Sequence, residues 1–315
     1  MATLIQVEHL KKYFNVPSGV NHAVDDVSFR IEKGETMGIV GESGCGKSTL
    51  GRTIIRLQDA TGGRVLMNGE DITRATGREL RRLRENMQII FQDPYSSLNP
   101  RMTVQQAVSE PLKLSRRYSR KEILEATDHL MDLCGVEERL RMAYPHEMDG
   151  GRRQRVGIAR ALALNPEFIM CDEPVSALDV SIQAQVLNLL MDLQERMNLT
   201  YMFVTHDLSV VRHISNHICV MYLGQLVETC ESKELFDRPL HPYTKALLSA
   251  IPSVDLDRPM KRIMLKGEIT SPINPKPGCR FAARCPHATE ACSEPQQLQE
   301  VSPNHFVSCC RIWEI

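Results

Sequence analysis

Gly41-Glu42-Ser43-Gly44-Cys45-Gly46-Lys47-Ser48-Thr49 carries three glycines and a lysine in phosphate-loop spacing. A β-like run, Thr36–Val40, precedes it and a helical pattern over residues 50–57 follows, the strand–loop–helix setting that a phosphate-binding loop requires. Its glycines let backbone N–H groups converge on phosphate oxygens, and the start of the helix adds positive potential. Lys47 is suited to neutralise β- and γ-phosphates, and the Ser48 hydroxyl to ligand Mg²⁺. A plain glycine turn would have the composition without these flanks.

Downstream, Phe168-Ile169-Met170-Cys171-Asp172-Glu173 is an apolar strand that delivers two carboxylates at its carboxyl end. Asp172 can join the Mg²⁺ shell, and Glu173 can polarise an attacking water as general base. Taken alone, a strand ending in Asp-Glu is weak, because strands often stop at charged turns; beside the phosphate loop it becomes strong. Around this pair the pattern alternates. Strand-like runs cover residues 4–7, 24–31, 87–92, 168–171, 201–205 and 218–222, and a hairpin over 64–72 turns at Asn68-Gly69. Helical spacing appears from 103 to 163, over 181–197 and over Leu208–Ile214. Strands alternating with helices imply a mostly parallel sheet covered on both faces.

Composition narrows the class. The 315 residues carry 39 acidic and 38 basic side chains, a net charge of −1, which argues against coating nucleic acid or an anionic membrane. The basic stretch over residues 78–84 lacks interleaved aromatics and reads as a solvated helix face. No run approaches the ~18 apolar residues of a membrane span. The first residues lack the basic-then-apolar build of a signal peptide, so the expectation is a cytosolic chain. After Ile251 prolines accumulate and periodicity fades, which sets a boundary near 252. Of ten cysteines, Cys279, Cys285, Cys292, Cys309 and Cys310 crowd that last segment, where metal binding is a stronger reading than a disulfide framework.

At this point the chain resembles the ATP-binding-cassette ATPases over about residues 3–250. The resemblance implies an α/β P-loop ATPase of mixed sheet core, antiparallel β subdomain and helical subdomain. Residues 1–251 would form the ATPase domain, with the helical subdomain at about 95–163, and residues 252–315 a small irregular cysteine-rich extension. Gly41, Ser43, Gly44, Cys45, Gly46, Lys47, Ser48, Thr49 and Asp172 would bind ATP, with Mg²⁺ at Ser48 and Gln92. Tyr13 looks like the aromatic that stacks on adenine, although an isolated tyrosine there is as often core. Gln92 resembles the glutamine that senses Mg²⁺ and the γ-phosphate. Ser176 and Asp179 resemble the loop that crosses to a partner subunit, and His206 the histidine on the γ-phosphate. Such a glutamine is otherwise a strand-end cap, and such a histidine is otherwise structural.

The signature segment of that family normally reads Leu-Ser-Gly-Gly-Gln; here it is Met148-Asp149-Gly150-Gly151-Arg152. Asp149 is a good helix N-cap and could merely start the helix as serine would. A carboxylate near a γ-phosphate adds repulsion of roughly 1–4 kcal/mol at ~4 Å, depending on effective dielectric. Arg152 offsets part of it. The expectation is unequal ATP sites in a heterodimer with a second cassette subunit.

Phe91-Gln92-Asp93-Pro94-Tyr95-Ser96-Ser97-Leu98-Asn99-Pro100, Tyr144-Pro145-His146-Glu147, His241-Pro242-Tyr243-Thr244-Lys245-Ala246-Leu247 and the passage from Lys266-Gly267-Glu268 to Phe281 are similar to ATP-binding subunits of bacterial dipeptide/oligopeptide and nickel importers. That resemblance implies a peripheral protein at the cytoplasmic face of the membrane. Its partners would be two permease subunits and, indirectly, a solute-binding protein, with no nucleic acid. The alternatives are a soluble non-transport cassette ATPase and an ATP-switched metal or redox module. Cys279, Cys285, Cys292 and Cys309 follow neither zinc C-x2-C pairs nor ferredoxin runs, so spacing chooses no metal. The importer resemblance implies a [4Fe–4S] cluster, with Zn²⁺ or unliganded thiols as alternatives and Cys310 as another fourth ligand.

Overall fold

The computed structural model describes residues 2–251, 262–265, 267 and 271–314. Two compact units result, Met1–Arg74 with Phe203–Ile315, and Ala75–Met202. The proposed boundary near 252, and Lys266 and Glu268, lie outside the described residues. The tail from 271 onward belongs to the first unit.

That unit opens with a long antiparallel hairpin, Thr3–Val16 on Gly19–Glu32, continued on its other edge by Gly62–Met67 and Glu70–Asp71. Ile5, Val7, Leu10, Val24, Val27 and Ile31 are buried along it. Both strands run well beyond the expected 4–7 and 24–31. Register shifts after Val7, Leu10 and Lys12 break the two-residue alternation, which is why periodicity understated their length. The hairpin at Asn68-Gly69 forms as expected, with Asn68 at φ 51° and Gly69 at 81°.

In the unit's second sheet, Thr36–Val40 pairs parallel with His217–Tyr222, and Gln225–Glu231 runs antiparallel beside it. The arrangement is mixed, not mostly parallel. The tail is not irregular throughout: Gln299–Ser302 and His305–Val307 form a hairpin that adds to Gln225–Glu231. Its sequence carries little strand signal, because tertiary contacts hold it. His305 Nε2 donates to Glu228 Oε1 at 2.8 Å, with both side chains buried. Glu228 also accepts the backbone N–H groups of Leu240 and His241 at 2.8 and 2.9 Å, so a fully buried carboxylate is satisfied.

Phe281, from the tail, sits in the core of this unit. It packs edge-on to Tyr222 and tilted to Tyr243, with centroids 5.3 and 5.4 Å away, beside Val40, Val220 and Leu235.

In the second unit Met87–Ile90 pairs parallel with Phe168–Asp172. Helix Gly77–Asn86 buries no side chain, so the basic stretch is a solvated face. Helices Val104–Ser115 and Arg120–Leu133 start on capping boxes, Thr103 with Gln106 and Ser119 with Glu122. Helix Val180–Met197 buries one stripe, Val186, Leu187, Leu190 and Leu193, whereas Gly150–Leu162 is buried on most sides, with Val156 to Ala159 buried consecutively. The chain re-enters the first unit within strand Thr200–Val204.

His241 caps helix Pro242–Leu248, its Nδ1 accepting the Tyr243 N–H at 3.1 Å. Burial pushes its pKa down to about 4, with Glu228 opposing and Lys245 reinforcing. The native imidazole is therefore neutral, while the unfolded chain takes up a proton below its ordinary value. Stability contributed by this residue is present above that value and lost as pH falls toward 4. Between pH 7 and pH 5 the loss from His241 alone is about 2 kcal/mol. His241→Asn keeps a cap acceptor and should flatten the pH dependence of denaturant unfolding by that amount over this interval.

Candidate nucleotide site

Strand Thr36–Val40 is buried at every position and ends on Gly41. Two glycines make the following turn possible. A Cβ on Gly41 (φ 153°) would stand 2.1 Å from the Met221 carbonyl oxygen, and one on Gly46 (φ 106°) 2.0 Å from that of Ala23. Helix Lys47–Ile54 begins directly after. Lys47 is 5% exposed, and its Nζ donates to the carbonyls of Gly41 and Glu42 at 2.8 and 2.9 Å. Ser43 and Gly44 are exposed at the tip, Ser48 and Thr49 half-buried, and Cys45 buried. Burial pushes the Cys45 thiol up against the opposing pull of Lys47, so it packs as a small apolar group.

Tyr13 lies in the same unit. Its ring stacks on His22 at 4.0 Å, and its hydroxyl donates to Asp25. Burial and then that hydrogen bond push the phenol up. Burial raises Asp25, but hydrogen bonds from Tyr13 and His22 and the Arg280 charge outweigh it, holding the carboxyl below its ordinary value. His206 is exposed beyond strand Thr200–Val204, just before Asp207, which caps helix Leu208–Ile214 by accepting the Ser209 N–H at 2.8 Å.

The second unit holds the other expected residues. Asp172 ends a wholly buried strand and is 2% exposed. Glu173 follows with φ 48°, a left-handed conformation that costs a non-glycine residue of order 1–3 kcal/mol and that turns the chain sharply. Gln92 Nε2 donates to Glu173 Oε2 at 2.8 Å and reaches Ser176 Oγ at 3.4 Å. Ser176 Oγ in turn donates to the Glu173 carbonyl at 3.1 Å. Gln92, Glu173 and Ser176 are thus one cluster, and Asp179 stands at the N-cap of Val180–Met197. Asp149 caps Gly150–Leu162, accepting the Arg152 N–H at 2.8 Å. The Arg152 guanidinium bridges Glu137 at 2.7 Å and Asp149 at 3.3 Å. Gly151 leaves no room for a side chain, since a Cβ would meet Ile182 at 2.6 Å.

None of the ten cysteines forms a disulfide. Burial pushes the Cys279 thiol up to about 11 and raises Cys285, Cys309 and Cys310, with neighbouring cysteines adding to each. Cys292 Sγ lies 3.9 Å from Cys310 Sγ. Among the described residues, the group whose ligand atoms all fall within 4.8 Å is Glu228, Cys230 and His305, not three of the tail cysteines. Four thiolates on one zinc lie about 3.8 Å apart, given ~2.3 Å bonds and tetrahedral angles. The tail donors therefore share a neighbourhood without a preformed mononuclear cage.

Sequence reasoning missed Asp25, His22, Tyr243, Arg280 and Arg284, which surround the loop and Tyr13. An acidic residue inside the phosphate loop, Glu42, was the available signal that a cation must come from elsewhere.

Residues 24–176 match the family described as ABC transporter, and residues 227–292 the oligopeptide/dipeptide transporter C-terminal region. The chain is 52% identical over 318 residues to the oligopeptide transport ATP-binding protein AppF of Bacillus subtilis, covering 98% of this chain and 97% of that one. It belongs to the ABC transporter family. This ABC protein is an ATPase whose hydrolysis is coupled to transport. Solved relatives agree on the fold. The dimeric ATP-binding cassette MJ0796, in a post-hydrolysis state bound to ADP and Pi, matches with a TM-score of 0.67 at 30% identity, covering 73% of this chain and 99% of that one. cbiO1 of Clostridium perfringens matches with a TM-score of 0.68 at 28% identity, covering 76% and 92%. Among the described residues, no helix is long and apolar enough to cross a membrane.

Gly46→Ala should disrupt the loop, because the new Cβ meets backbone on the wrong side of φ. A destabilisation of roughly 1–3 kcal/mol and loss of ATP binding are expected, read by thermal melting and fluorescent-nucleotide titration.

Proposed function

We propose that this chain is the ATP-hydrolysing subunit of an importer for peptides or a related small solute, working through two separate permease subunits at the cytoplasmic face of the membrane. End-to-end similarity to AppF, including the region matched to oligopeptide/dipeptide transporters, carries this reading. A solute-binding protein would deliver cargo to the permeases.

The chemistry assigned to each residue follows from its setting. Gly41–Thr49 would cradle the phosphates, Lys47 neutralising the β/γ charge, and a base would stack on the face of Tyr13 opposite His22. Ser48 and Gln92, with Asp172, would hold Mg²⁺, which neutralises charge developing on the phosphoryl oxygens. Glu173 would orient and deprotonate the attacking water, held in place by the Gln92 hydrogen bond. His206 would fix the γ-phosphate. Because phosphoryl transfer depends on positioning and charge stabilisation, Glu173→Gln should hydrolyse at least ~100-fold more slowly while retaining bound ATP. Lys47→Ala should instead lose nucleotide affinity. Single-turnover hydrolysis and filter retention of labelled ATP distinguish the two.

ATP sites in this reading are composite and the dimer here is a heterodimer; the relative MJ0796 is itself dimeric. Met148–Arg152 would face ATP held by the partner ATPase. There Asp149 replaces a hydroxyl with a carboxylate, and Arg152, engaged with Asp149 and Glu137, compensates only in part. The site opposite this chain's signature is then the weaker one. Glu173→Gln in this chain should reduce steady-state turnover of the complex far more than the equivalent change in the partner. Equal damage from the two would remove the asymmetry.

The tail thiols we assign to a [4Fe–4S] cluster held by Cys279, Cys285, Cys292 and Cys309 or Cys310, with Zn²⁺ as the alternative. A segment short of apolar material gains order from such a ligand, and the 3.9 Å approach of Cys292 Sγ to Cys310 Sγ supports the grouping. Anaerobically purified protein should contain about four iron and four sulfide per chain; one zinc and no colour would favour the alternative, and neither metal would refute both.

A further inference from the structure

One residue of the phosphate loop, Glu42, is gripped from far along the chain. Its N–H donates to the Tyr243 hydroxyl at 2.9 Å. Its carboxylate receives both prongs of the Arg284 guanidinium, at 2.8 and 3.1 Å. Its carbonyl accepts Lys47 Nζ, the cation that the triphosphate needs. Arg284 and Glu42 side chains are 10% and 25% exposed, and the guanidinium lies over the Tyr222 ring at 6.0 Å. The pair is sheltered and geometrically specific, unlike a surface ion pair.

Four residues earlier in the same short segment, Arg280 makes a parallel connection. Its guanidinium donates to the Leu223 carbonyl and to Asp25, and the two side chains are 7% and 16% exposed. Asp25 is the group on which the Tyr13 hydroxyl and the His22 ring both converge. The segment is held in register by Phe281, buried between the two arginines in the aromatic core, and by the short helical turn Ala282–Arg284.

We propose that Arg284 and Arg280 are positioning residues of the ATP site. Arg284 sets the phosphate loop through Glu42, and Arg280 sets the base-stacking platform through Asp25 and Tyr13. The Arg280 half rests on the reading of Tyr13 as the base platform. The two halves act on different parts of the nucleotide. Inorganic tripolyphosphate engages the loop alone, whereas ATP engages loop and platform together. A merely structural role for Arg280 would weaken both ligands alike, and one for Arg284 would weaken them only in proportion to a fall in melting temperature.

The test uses the full chain with Mg²⁺, titrating ATP and tripolyphosphate and recording melting temperature. Arg284→Gln should weaken both ligands about tenfold, and Arg280→Gln should weaken ATP about tenfold while leaving tripolyphosphate within about twofold. KM for ATP should rise more than kcat falls, and the lysine variants should recover part of the loss, since lysine keeps the charge without the fork. Glu42→Gln removes the same ion pair with Arg284 intact and should match Arg284→Gln, the double variant being no worse than either. Tyr13→Ala serves as the reference for the platform. If it weakens ATP selectively while Arg280→Gln does not, the Arg280 assignment is overturned and the platform reading stands. If Tyr13→Ala leaves the preference for ATP over tripolyphosphate intact, the platform reading fails and the Arg280 assignment with it. Unchanged binding in both Arg284→Gln and Glu42→Gln would overturn the Arg284 assignment.

Discussion

The close approach of two backbone carbonyls to Gly41 and Gly46 is the constraint on which the first unit depends. Met221 and Ala23 belong to strands of two different sheets. Their oxygens occupy the space that Cβ atoms would need, so the turn between the glycines can be neither bulkier nor relaxed into an ordinary loop. That clamp sets where the helix from Lys47 begins and which way its first N–H groups point. It also explains why Lys47, long and charged, is buried. The turn it spans presents inward carbonyls that a buried ammonium must find if it is not to be left unpaired.

Three sheltered carboxylates of the same unit each take a cation or hydrogen-bond donor from the tail. Glu42 has Arg284, Asp25 has Arg280 and Glu228 has His305. Removing one member of such a pair leaves a desolvated charge behind, which is costlier than never having built the pair. The tail has few apolar anchors of its own, chiefly Phe281, Val307 and Ile312. It is ordered against carboxylates presented by the cassette, and Phe281 makes it part of the same core. Within the tail the Cys279 N–H donates to the Cys292 carbonyl at 2.8 Å, so backbone hydrogen bonding joins these two cysteine positions.

In the second unit, strain and hydrogen bonding converge on one residue. Glu173 leaves a buried strand through a left-handed backbone, and Gln92 and Ser176 fix its carboxylate and carbonyl. In the role proposed for Glu173, its carboxylate would change state when the glutamine amide that orients it moves. The helix from Gly150 is capped by Asp149 as a serine would cap it, so the altered signature preserves the helix while changing the charge it presents.

The family, the strand–loop–helix around Lys47, the carboxylate strand ending at Asp172 and the helix start at Asp149 are all legible in the amino-acid sequence. Each is local: glycine spacing, an apolar run and a capping residue act over a few positions and leave a readable pattern. The length of the first hairpin was obscured because bulges reset its alternation. The tail hairpin was invisible because Gln299–Ser302 has no buried face of its own and pairs with His305–Val307, which Glu228 holds through His305. Only the tertiary structure decided that Arg280 and Arg284 reach Asp25 and Glu42, more than two hundred residues away in sequence. Ion pairs between such distant positions follow from how the sheets and the aromatic core are stacked, and no periodicity along the chain encodes that.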